Sequence, residues 1–405
     1  MTNRRELNLI INFNDFETKS FLDATIPEFT KSEEKLVLSA KKDAYYSAGM
    51  FFTSFDITKD IGKRLTAEIK VKWTGKGTMP MAMILFFGED GTKIQSSYFT
   101  KGEEIFKFDE EVPSGAFKCE INLFGFFFGD NKVEFSDLKL EIGEKKPHRI
   151  VNVATAYIGI KGSPESNLEE VYDILDRAGT AEEKPDIICF TEGVHCLQAG
   201  GKRLFLNDES PEVLKVCEKA KQYGMYVLFT CNEQDKNGMQ YNAAFVITPE
   251  GKIFDKYRKT HLTLSELKNG LVPGDAIKVF DLPIGKIGIL ICWDQWFTQA
   301  SKEIEKQGAE MLFWLTRGYH EERHVTRARD TGMYIITSHP VPGNCRIAHP
   351  TTGEFLVRGE GTSNYVMAKI DLDERPISEY KSFGVNGGND RDIFVNEHRN
   401  DLYTF

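Results

Sequence analysis

Hydrophobic and polar residues alternate in two different ways along the chain. Up to about residue 145, short apolar stretches rich in Phe and β-branched residues are separated by turns of Gly, Asp, Asn and Lys. The clearest stretches are KLVLSA, AGMFFTSFDI, RLTAEIKVKW, MAMILFFGEDGTK, FKCEINLFGFFFGDNK and VEFSDLKLEIG. Regular short strands without an amphipathic helix predict an antiparallel β-sandwich over residues 1–145.

The charged stretch GEKKPHR (143–149) is the predicted linker, and after it strands alternate with helices. Predicted strands include RIVNVATAYIG, PDIICFTEG, MYVLFTCNE, KIGILICWD, AEMLFWL and MYIITSHPV. The segments between them include SNLEEVYDILDRAG and PEVLKVCEKAKQYG, which have the spacing of amphipathic helices. YNAAFVITPEGKIFDKYRK and CRIAHPTTGEFLVRG read as hairpins. This alternation predicts an α/β layered domain over 149–405, with helices outside a buried sheet.

Composition and charge narrow the classes of function. A chain of 405 residues is too long for one ordinary core, in keeping with two domains. The net charge of −10 argues against a nucleic-acid partner. The apolar runs are too short for a membrane helix, and the N-terminus does not read as a signal peptide, although a signal removed before residue 1 would be invisible. Seven scattered cysteines without a CxxC pattern favour a reducing, cytoplasmic location.

Four residues with ionisable side chains that could act in catalysis follow predicted strands. Glu192 comes after PDIICFT, Glu233 after MYVLFTCN, Cys292 after KIGILI, and Lys259 after KIFDKYR. Functional side chains of α/β sheets collect at the carboxyl ends of strands, so we expect these four to meet. A thiol nucleophile, a carboxylate that takes its proton and a lysine that stabilises an oxyanion together suit amide hydrolysis through a covalent intermediate.

These segments resemble the nitrilase, or carbon–nitrogen hydrolase, superfamily. The likeness rests on CFTEG, on CNEQDKNGMQYNAAFVITPEGKIFDKYRKTHL and on GKIGILICWDQWF followed by QGAEMLFW, and it covers the chain from about Arg149 onwards. It implies a four-layer αββα sandwich, no metal or other cofactor, and a homodimer or higher homo-oligomer. It also implies Glu192 as general base, Lys259 as catalytic lysine, Cys292 as nucleophile and Glu233 as the second glutamate, which orients the lysine.

Further residues near these motifs are candidates for supporting and substrate-binding roles. Trp293 offers a backbone N–H as an oxyanion donor, and Asp294 is expected to hold the turn by hydrogen bonding rather than to take part in the chemistry. Several residues are candidates for substrate binding; for His195 the alternative is a structural histidine, and for the candidates between 317 and 323 it is a solvated helix start. The candidates are His195, Trp296, Arg317, Tyr319, His320 and Arg323.

True nitrilases of this superfamily generally show Cys-Trp-Glu, whereas this chain has Cys-Trp-Asp, so the resemblance implies an amide or N-carbamoyl amine rather than a nitrile as the substrate. ICWDQWF is similar to N-carbamoylputrescine amidases, but Thr298 and Gln299 replace the usual Pro-Glu pair. The alternatives are a nitrile hydrolase, or a catalytically silent scaffold whose β-domain binds a glycan or a protein. The strand VEFSDLKLEIG resembles the closing strand of jelly-roll domains, including carbohydrate-binding ones. For the β-domain we prefer a packing or oligomerisation module that binds nothing.

Overall fold

The computed structural model describes residues 7–8, 11–145, 147–158, 162–196, 204–361 and 364–374, together with 377–378, 387–389, 397 and 402. The chain divides into two compact units. One comprises Met1–Pro147 with Arg375–Phe405, and the other is His148–Glu374. The predicted boundaries place residues 375–405 in the second domain, whereas this division groups them with the first unit.

Antiparallel strands form the N-terminal unit, as its sequence pattern predicts. The strands are β1 (Leu7–Asn8), β2 (Glu17–Ser20), β3 (Glu28–Lys31), β4 (Lys35–Ser39), β5 (Tyr46–Asp56), β6 (Arg64–Trp73), β7 (Met79–Phe87), β8 (Lys93–Tyr98), β9 (Ile105–Glu111), β10 (Lys118–Phe128) and β11 (Lys132–Gly143). One sheet has the order β3-β4-β11-β6-β9, with β1 beside β11, and the other has the order β2-β5-β10-β7-β8.

Both sheets of this unit contribute to one hydrophobic core. In β6 the buried residues alternate with more exposed ones, and Leu65, Ile69 and Val71 enter the same core as Ile121 and Phe127 of β10. A period of two places alternate side chains on one face of a strand, so each sheet buries one row of apolar side chains.

The second unit alternates strands and helices. It comprises β12 (Ile150–Tyr157), α1 (Pro164–Gly179), β13 (Ile187–Cys189), β14 (Phe205–Leu206), α2 (Pro211–Tyr223), β15 (Tyr226–Gln234), β16 (Gln240–Ile247), β17 (Ile253–Arg258), α3 (Leu264–Lys268), β18 (Val279–Leu282), β19 (Gly285–Ile291), α4 (Thr298–Lys306), β20 (Met311–Leu315), α5 (Glu321–Thr331), β21 (Tyr334–Ser338), β22 (Arg346–Ala348), β23 (Phe355–Arg358) and β24 (Asn364–Asp371). Two further short strands, β25 (Ile377–Ser378) and β26 (Gly387–Asn389), pair with each other in the first unit.

Two mixed sheets lie at the centre of the second unit. Their orders are β17-β16-β15-β13-β12-β24, with β14 beside β15, and β18-β19-β20-β21-β22-β23. The sheets meet face to face, where the Thr155 hydroxyl donates to the Thr337 carbonyl at 2.8 Å. Helices α1 and α2 share a core with one sheet, and residues of α4 and α5 share a core with the other. The hairpins predicted at 241–259 and 345–359 are confirmed as β16–β17 and β22–β23.

The sequence pattern predicts no helix or strand in the segment that contains helix α3. This helix is only five residues long and has no buried residue, so it lacks the apolar stripe by which helices are recognised. None of the helices in the described part of the chain is long and apolar enough to span a membrane.

Candidate active site

Cys292 begins a tight 3-10 turn, Cys292–Trp296, where β19 ends. Its φ of 46° lies in the left-handed region, which is unfavourable for any residue with a Cβ. The backbone around it is held in place, because the Trp314 Nε1–H donates to the Cys292 carbonyl at 3.2 Å. Strained backbone of this kind clusters at functional sites. The turn therefore marks Cys292 as a candidate reactive thiol.

Asp294 fixes this turn, as expected. Its fully buried carboxylate accepts the Ile291 N–H at 2.9 Å, the Tyr257 hydroxyl at 2.8 Å and the His261 N–H at 2.8 Å. Three donors from two parts of the chain saturate most of its acceptor capacity. Asp294 thus ties the cysteine turn to the end of β17.

Lys259 follows β17 and lies between two carboxylates. Its Nζ is 2.9 Å from Glu192 Oε1 and 2.9 Å from both carboxylate oxygens of Glu266. The Asn242 side-chain amide donates to Glu192 at 2.8 Å and to Glu266 at 2.9 Å. The site is therefore built around one buried lysine and two glutamates. We refer to Glu192, Asn242, Lys259 and Glu266 as the Lys259 cluster.

Sequence reasoning missed Glu266 and Asn242. Glu266 is the N3 residue of α3, where its carboxylate accepts the Thr263 N–H at 2.8 Å while the Thr263 hydroxyl accepts the Glu266 N–H, a capping box. The pattern Thr-Leu-Ser-Glu at 263–266 is the sequence signature of this arrangement and could have located the helix start. The cap fixes the glutamate that contacts Lys259.

Glu233 is not where the resemblance implies it to be. Within the described part of the chain, its carboxylate pairs with Lys256 at 2.9 Å and with Arg258 at 2.8 Å, and Lys259 pairs instead with Glu192 and Glu266. The physical reason is strand geometry, because Lys256 and Arg258 are alternate residues of β17 and share one face. Glu233, Lys256 and Arg258 form a separate Glu233 cluster. Next to it is a cavity of about 500 Å³, whose lining includes Lys256 and Arg258.

The electrostatics of the site favour a charged lysine and a protonated resting thiol. Burial opposes the charge of Lys259, but the carboxylates of Glu192 and Glu266 and the nearby Cys292 outweigh it and raise the lysine pKa. Burial and the negative charge of Glu192 raise the pKa of Cys292, and Lys259 and the Arg317 backbone N–H only partly offset them. A thiol in this state needs a base before it can attack.

Glu192 is placed to act as that base. Its Oε1 accepts from Lys259 and from Asn242, whereas its Oε2 has no hydrogen-bond donor among the described residues. One carboxylate oxygen is thus fixed by two donors, and the other remains available to accept a proton.

Arg317, a candidate for substrate binding, contacts the chain around Glu192. Its Nε donates to the Glu192 carbonyl at 3.1 Å, and a terminal N–H donates to the Gly193 carbonyl at 3.0 Å. Gly193 has a φ of 52°, and a Cβ there would lie 3.0 Å from the Arg317 guanidinium, so glycine suits the position. The guanidinium therefore supports the loop that carries the base.

The other substrate-binding candidates divide into two groups. His195 is fully buried, its Nε2–H donates to the Leu204 carbonyl at 2.8 Å, and burial lowers its pKa to about 4. Tyr319 is half-buried, and its hydroxyl lies 3.2 Å from Nδ1 of the buried His324. Both contact patterns are those of structural side chains.

Trp293 and Trp296 remain accessible, with 37% and 38% of their surface exposed. Their ring centroids are 5.1 Å apart. The Arg323 guanidinium lies 3.8 Å from the centroid of the Trp296 ring, and the His320 ring lies nearly perpendicular to that ring with its centroid 5.0 Å away. The structure thus brings Trp293 and Trp296, both in the nucleophile turn, together with His320 and Arg323 into one accessible group of side chains.

A family model for carbon-nitrogen hydrolases matches residues 152–375, more than half of the chain. The chain belongs to the carbon-nitrogen hydrolase family. The match begins within β12 and includes every residue of the Lys259 cluster and Cys292. The recognition made from CFTEG, KYRK and ICWD is therefore confirmed, and it leaves the N-terminal unit outside the family match.

Curated relatives in the carbon-nitrogen hydrolase family include amidases. The omega-amidase NIT2 of Homo sapiens is 30% identical over 183 residues, which cover 39% of this chain and 66% of the human protein. The N-carbamoylputrescine amidase of Solanum lycopersicum is 33% identical over 157 residues, which cover 36% of this chain and 52% of that protein. The chain thus spans two thirds or less of the length of these relatives.

Among solved structures, Saccharomyces cerevisiae Nit3, a member of branch 10 of the nitrilase superfamily, aligns with a TM-score of 0.49 and 19% identity. The alignment covers 55% of this chain and 90% of Nit3.

Proposed function

We propose that this carbon-nitrogen hydrolase cleaves a non-peptide C–N bond of an amide or an N-carbamoyl amine through a thioester on Cys292. The observation that carries the proposal is the position of Lys259, which lies 2.9 Å from both Glu192 and Glu266 and acts electrostatically on the Cys292 thiol. A base, a cation and a thiol at one strand-end site supply the groups that acyl transfer requires.

In the first half-reaction, Glu192 Oε2 takes the Cys292 proton as the sulfur attacks the carbonyl carbon. The electron pair of the C=O bond moves to oxygen, and the oxyanion is stabilised by the Lys259 ammonium and the Trp293 N–H. When the C–N bond breaks, Glu192 returns its proton to the leaving amine or ammonia. A thioester on Cys292 remains.

In the second half-reaction, Glu192 removes a proton from water, and the hydroxyl oxygen attacks the thioester carbon. The C–S bond then breaks, the acid product leaves, and the proton on Glu192 returns to the thiolate. The same carboxylate acts alternately as base and acid, so its position must be fixed throughout the cycle.

Glu266 takes over the supporting role that the resemblance implied for Glu233. Its carboxylate is held by Thr263 and accepts from Lys259 through both oxygens, which keeps the ammonium in place and charged. Burial alone would raise the Glu266 pKa, but Lys259 and Asn242 lower it below its ordinary value. Glu266 thus stays ionised and leaves proton transfer to Glu192.

The substrate class follows from the nucleophile motif and from the relatives. Cys-Trp-Asp favours an amide or carbamoyl group over a nitrile, and both relatives described above carry amidase names. We expect Trp293 and Trp296 to line the approach to Cys292, because they are the accessible large side chains of its turn.

An ammonia-release screen tests this function. N-carbamoyl amines, N-carbamoyl amino acids, simple amides and nitriles are offered to the wild type and to Cys292→Ala. We expect ammonia from amides or carbamoyl compounds with the wild type alone. Release from nitriles only would assign a nitrile hydrolase. No release from any compound, together with no thiol labelling at Cys292, would favour the scaffold alternative.

The N-terminal unit is proposed to be a jelly-roll-like β-sandwich that serves in packing or assembly. Its two antiparallel sheets share one core, which supports this description. A homodimer or higher homo-oligomer is expected from the resemblance, and light scattering of the purified chain tests it. The cytoplasmic location stays a prediction; all seven cysteines, each within the described residues, are free thiols.

A further inference from the structure

Asn242, near the start of β16, contacts three members of the proposed catalytic machinery. Its side-chain Nδ2 donates to Glu192 Oε1 at 2.8 Å and to Glu266 Oε1 at 2.9 Å. Its backbone carbonyl accepts the Lys259 N–H at 2.8 Å. Only 5% of its surface is exposed. No other described residue forms hydrogen bonds with both glutamates and the lysine.

The orientation of this amide is determined by its partners. Ionised carboxylates only accept hydrogen bonds, so the NH₂ group has to face Glu192 and Glu266, and its two N–H groups match the two oxygens. The amide oxygen then points away, and within the described residues the buried Oδ1 has no hydrogen-bond partner. An unsatisfied buried acceptor costs stability. The amide thus donates to both carboxylates, although this orientation leaves its own oxygen without a hydrogen bond.

Two carboxylates share one cation here, which leaves the group with a net negative charge. A neutral donor can hold both carboxylates without adding a positive charge that would compete with Lys259 for the oxyanion. We propose that Asn242 is a positioning residue for the reaction: it fixes Glu192 Oε1, joins Glu192 to Glu266, and so leaves Glu192 Oε2 directed to proton transfer with Cys292. This inference rests on the proposed function.

The charged and titratable groups that face the pair come from four segments. They are Lys259 after β17, Glu266 in α3, Cys292 in the turn after β19, and Arg317 after β20, which binds the Glu192 carbonyl. None of them contributes a neutral donor to both glutamates. Without the Asn242 amide, the carboxylate pair binds a proton more readily, so base-dependent steps should require a higher pH.

The test compares Asn242→Ala and Asn242→Ser with Asn232→Ala. Asn232 lies directly opposite Asn242 on the neighbouring strand β15, and its amide is near Cys196 Sγ, at 3.5 Å, rather than near the glutamates. It is therefore a matched control for losing an asparagine at this point of the sheet. Asn242→Ser is smaller and polar, which provides a second variant if the alanine protein does not fold.

Two readouts are measured from pH 5 to 9 on each folded full-length protein. The first is kcat and KM for the substrate found in the ammonia-release screen. The second is the rate of iodoacetamide labelling of Cys292, which requires no substrate. We expect Asn242→Ala to lower kcat by about 10²-fold with KM changed less than about threefold, and to move the acid limb of both profiles to higher pH. Asn232→Ala should match the wild type.

Asn242→Asp sharpens the test. A third carboxylate can donate only when protonated, so its kcat should fall below that of Asn242→Ala at high pH and recover as the pH falls. A loss of kcat with unchanged acid limbs in both profiles would indicate a structural role and overturn the proposal. The wild type could release no ammonia while Asn242→Ala still moves the acid limb of the iodoacetamide-labelling profile to higher pH. That result would contradict the hydrolase function but support the positioning role of Asn242.

Discussion

Strand β17 and Lys259, the residue directly after it, supply cations to two buried carboxylate clusters that differ in chemistry. Lys256 and Arg258 point to one face and pair with Glu233, whereas Tyr257 and Lys259 point to the other and contact Asp294, Glu192 and Glu266. Both clusters place glutamates next to cations. Each cluster also acts electrostatically on a thiol: Glu192 and Lys259 on Cys292, and Glu233 and Lys256 on the fully buried Cys231. Of the two clusters, only the Lys259 cluster has a carboxylate oxygen without a donor among the described residues.

This difference separates structural ion pairing from catalysis. Glu233 is 2% exposed at its side chain and accepts from Lys256 and Arg258 through both oxygens, so neither oxygen lacks a donor. Lys256 also pairs with Asp208, so two cations there balance two carboxylates. In the Lys259 cluster, one cation serves two carboxylates, and the excess negative charge is next to Cys292. A buried carboxylate that is under-compensated beside a nucleophile is a better candidate base than one that is saturated.

The largest expected effect separates the two lysines. Lys259→Met should lower kcat/KM by about 10³-fold. The oxyanion loses the cation that stabilises it, and Glu192 and Glu266 lose the cation with which both pair. Lys256→Met should stay within about threefold of the wild type. Steady-state kinetics with the substrate from the ammonia-release screen measures both. A comparable loss in the two variants, with circular dichroism showing folded proteins, would remove the distinction between the clusters.

The glutamates should show opposite consequences. Glu266→Gln keeps the shape of the side chain but weakens its hold on Lys259, so we expect kcat to fall by about 10²-fold. Glu233→Gln should leave kcat within about threefold and lower the free energy of unfolding by about 1–3 kcal/mol, because a charged hydrogen-bond acceptor is lost. Kinetics and urea denaturation of both proteins test this pair. Loss of activity in Glu233→Gln alone would restore the role first inferred for Glu233.

Much of this site could be predicted from the sequence. Glu192 and Cys292 follow the apolar strands β13 and β19, and Lys259 follows β17, whose sequence is half polar. Because β13 and β17 belong to one sheet and β19 to the other, the packing of the two sheets, which the sequence pattern does not specify, is also needed to bring the three residues together. Glu233 lies near the end of β15, and the direction of side chains along β17 separates it from the site. The alternation in KYRK, residues 256–259, contains that information, because residues two apart share a face.

Other features could not be derived from hydrophobic pattern. Helix α3 has no buried residue, so Glu266 is placed by its capping box rather than by an apolar stripe. The short edge strands β2 and β3 are mostly exposed along their length and were not recognised, since alternation is absent when neither face is buried. Asn242 belongs to an apolar strand, and its contacts with two glutamates depend entirely on tertiary structure.

The response to pH should identify the Glu233 cluster as a stabilising one. Burial alone would raise the Glu233 pKa, but hydrogen bonds from Arg258 and Lys256 lower it below its ordinary value. A carboxyl whose folded-state pKa is lowered stabilises the fold above its unfolded-state pKa of about 4.3, and this contribution is lost as the pH falls through the folded-state value.

The stability difference between wild type and Glu233→Gln should therefore be full at pH 7 and shrink below about pH 4. Urea denaturation at pH 7, 5 and 3.5 measures this difference. A difference that stays constant with pH would show that packing, not charge, accounts for the effect of Glu233.

The smallest expected effect concerns the backbone of the nucleophile. Cys292 has a φ of 46°, where glycine costs little and any residue with a Cβ is strained. Cys292→Gly should therefore be more stable than Cys292→Ala by about 1 kcal/mol, although both are inactive. Cys231, two residues before Glu233 in the extended strand β15, is the matched control, and there glycine should be less stable than alanine. The sign of the glycine–alanine difference, read from urea denaturation, would then be opposite at the two cysteines. Equal signs would show that Cys292 is not strained, and that the reactivity we propose depends on Lys259 and Glu192 without a contribution from the backbone.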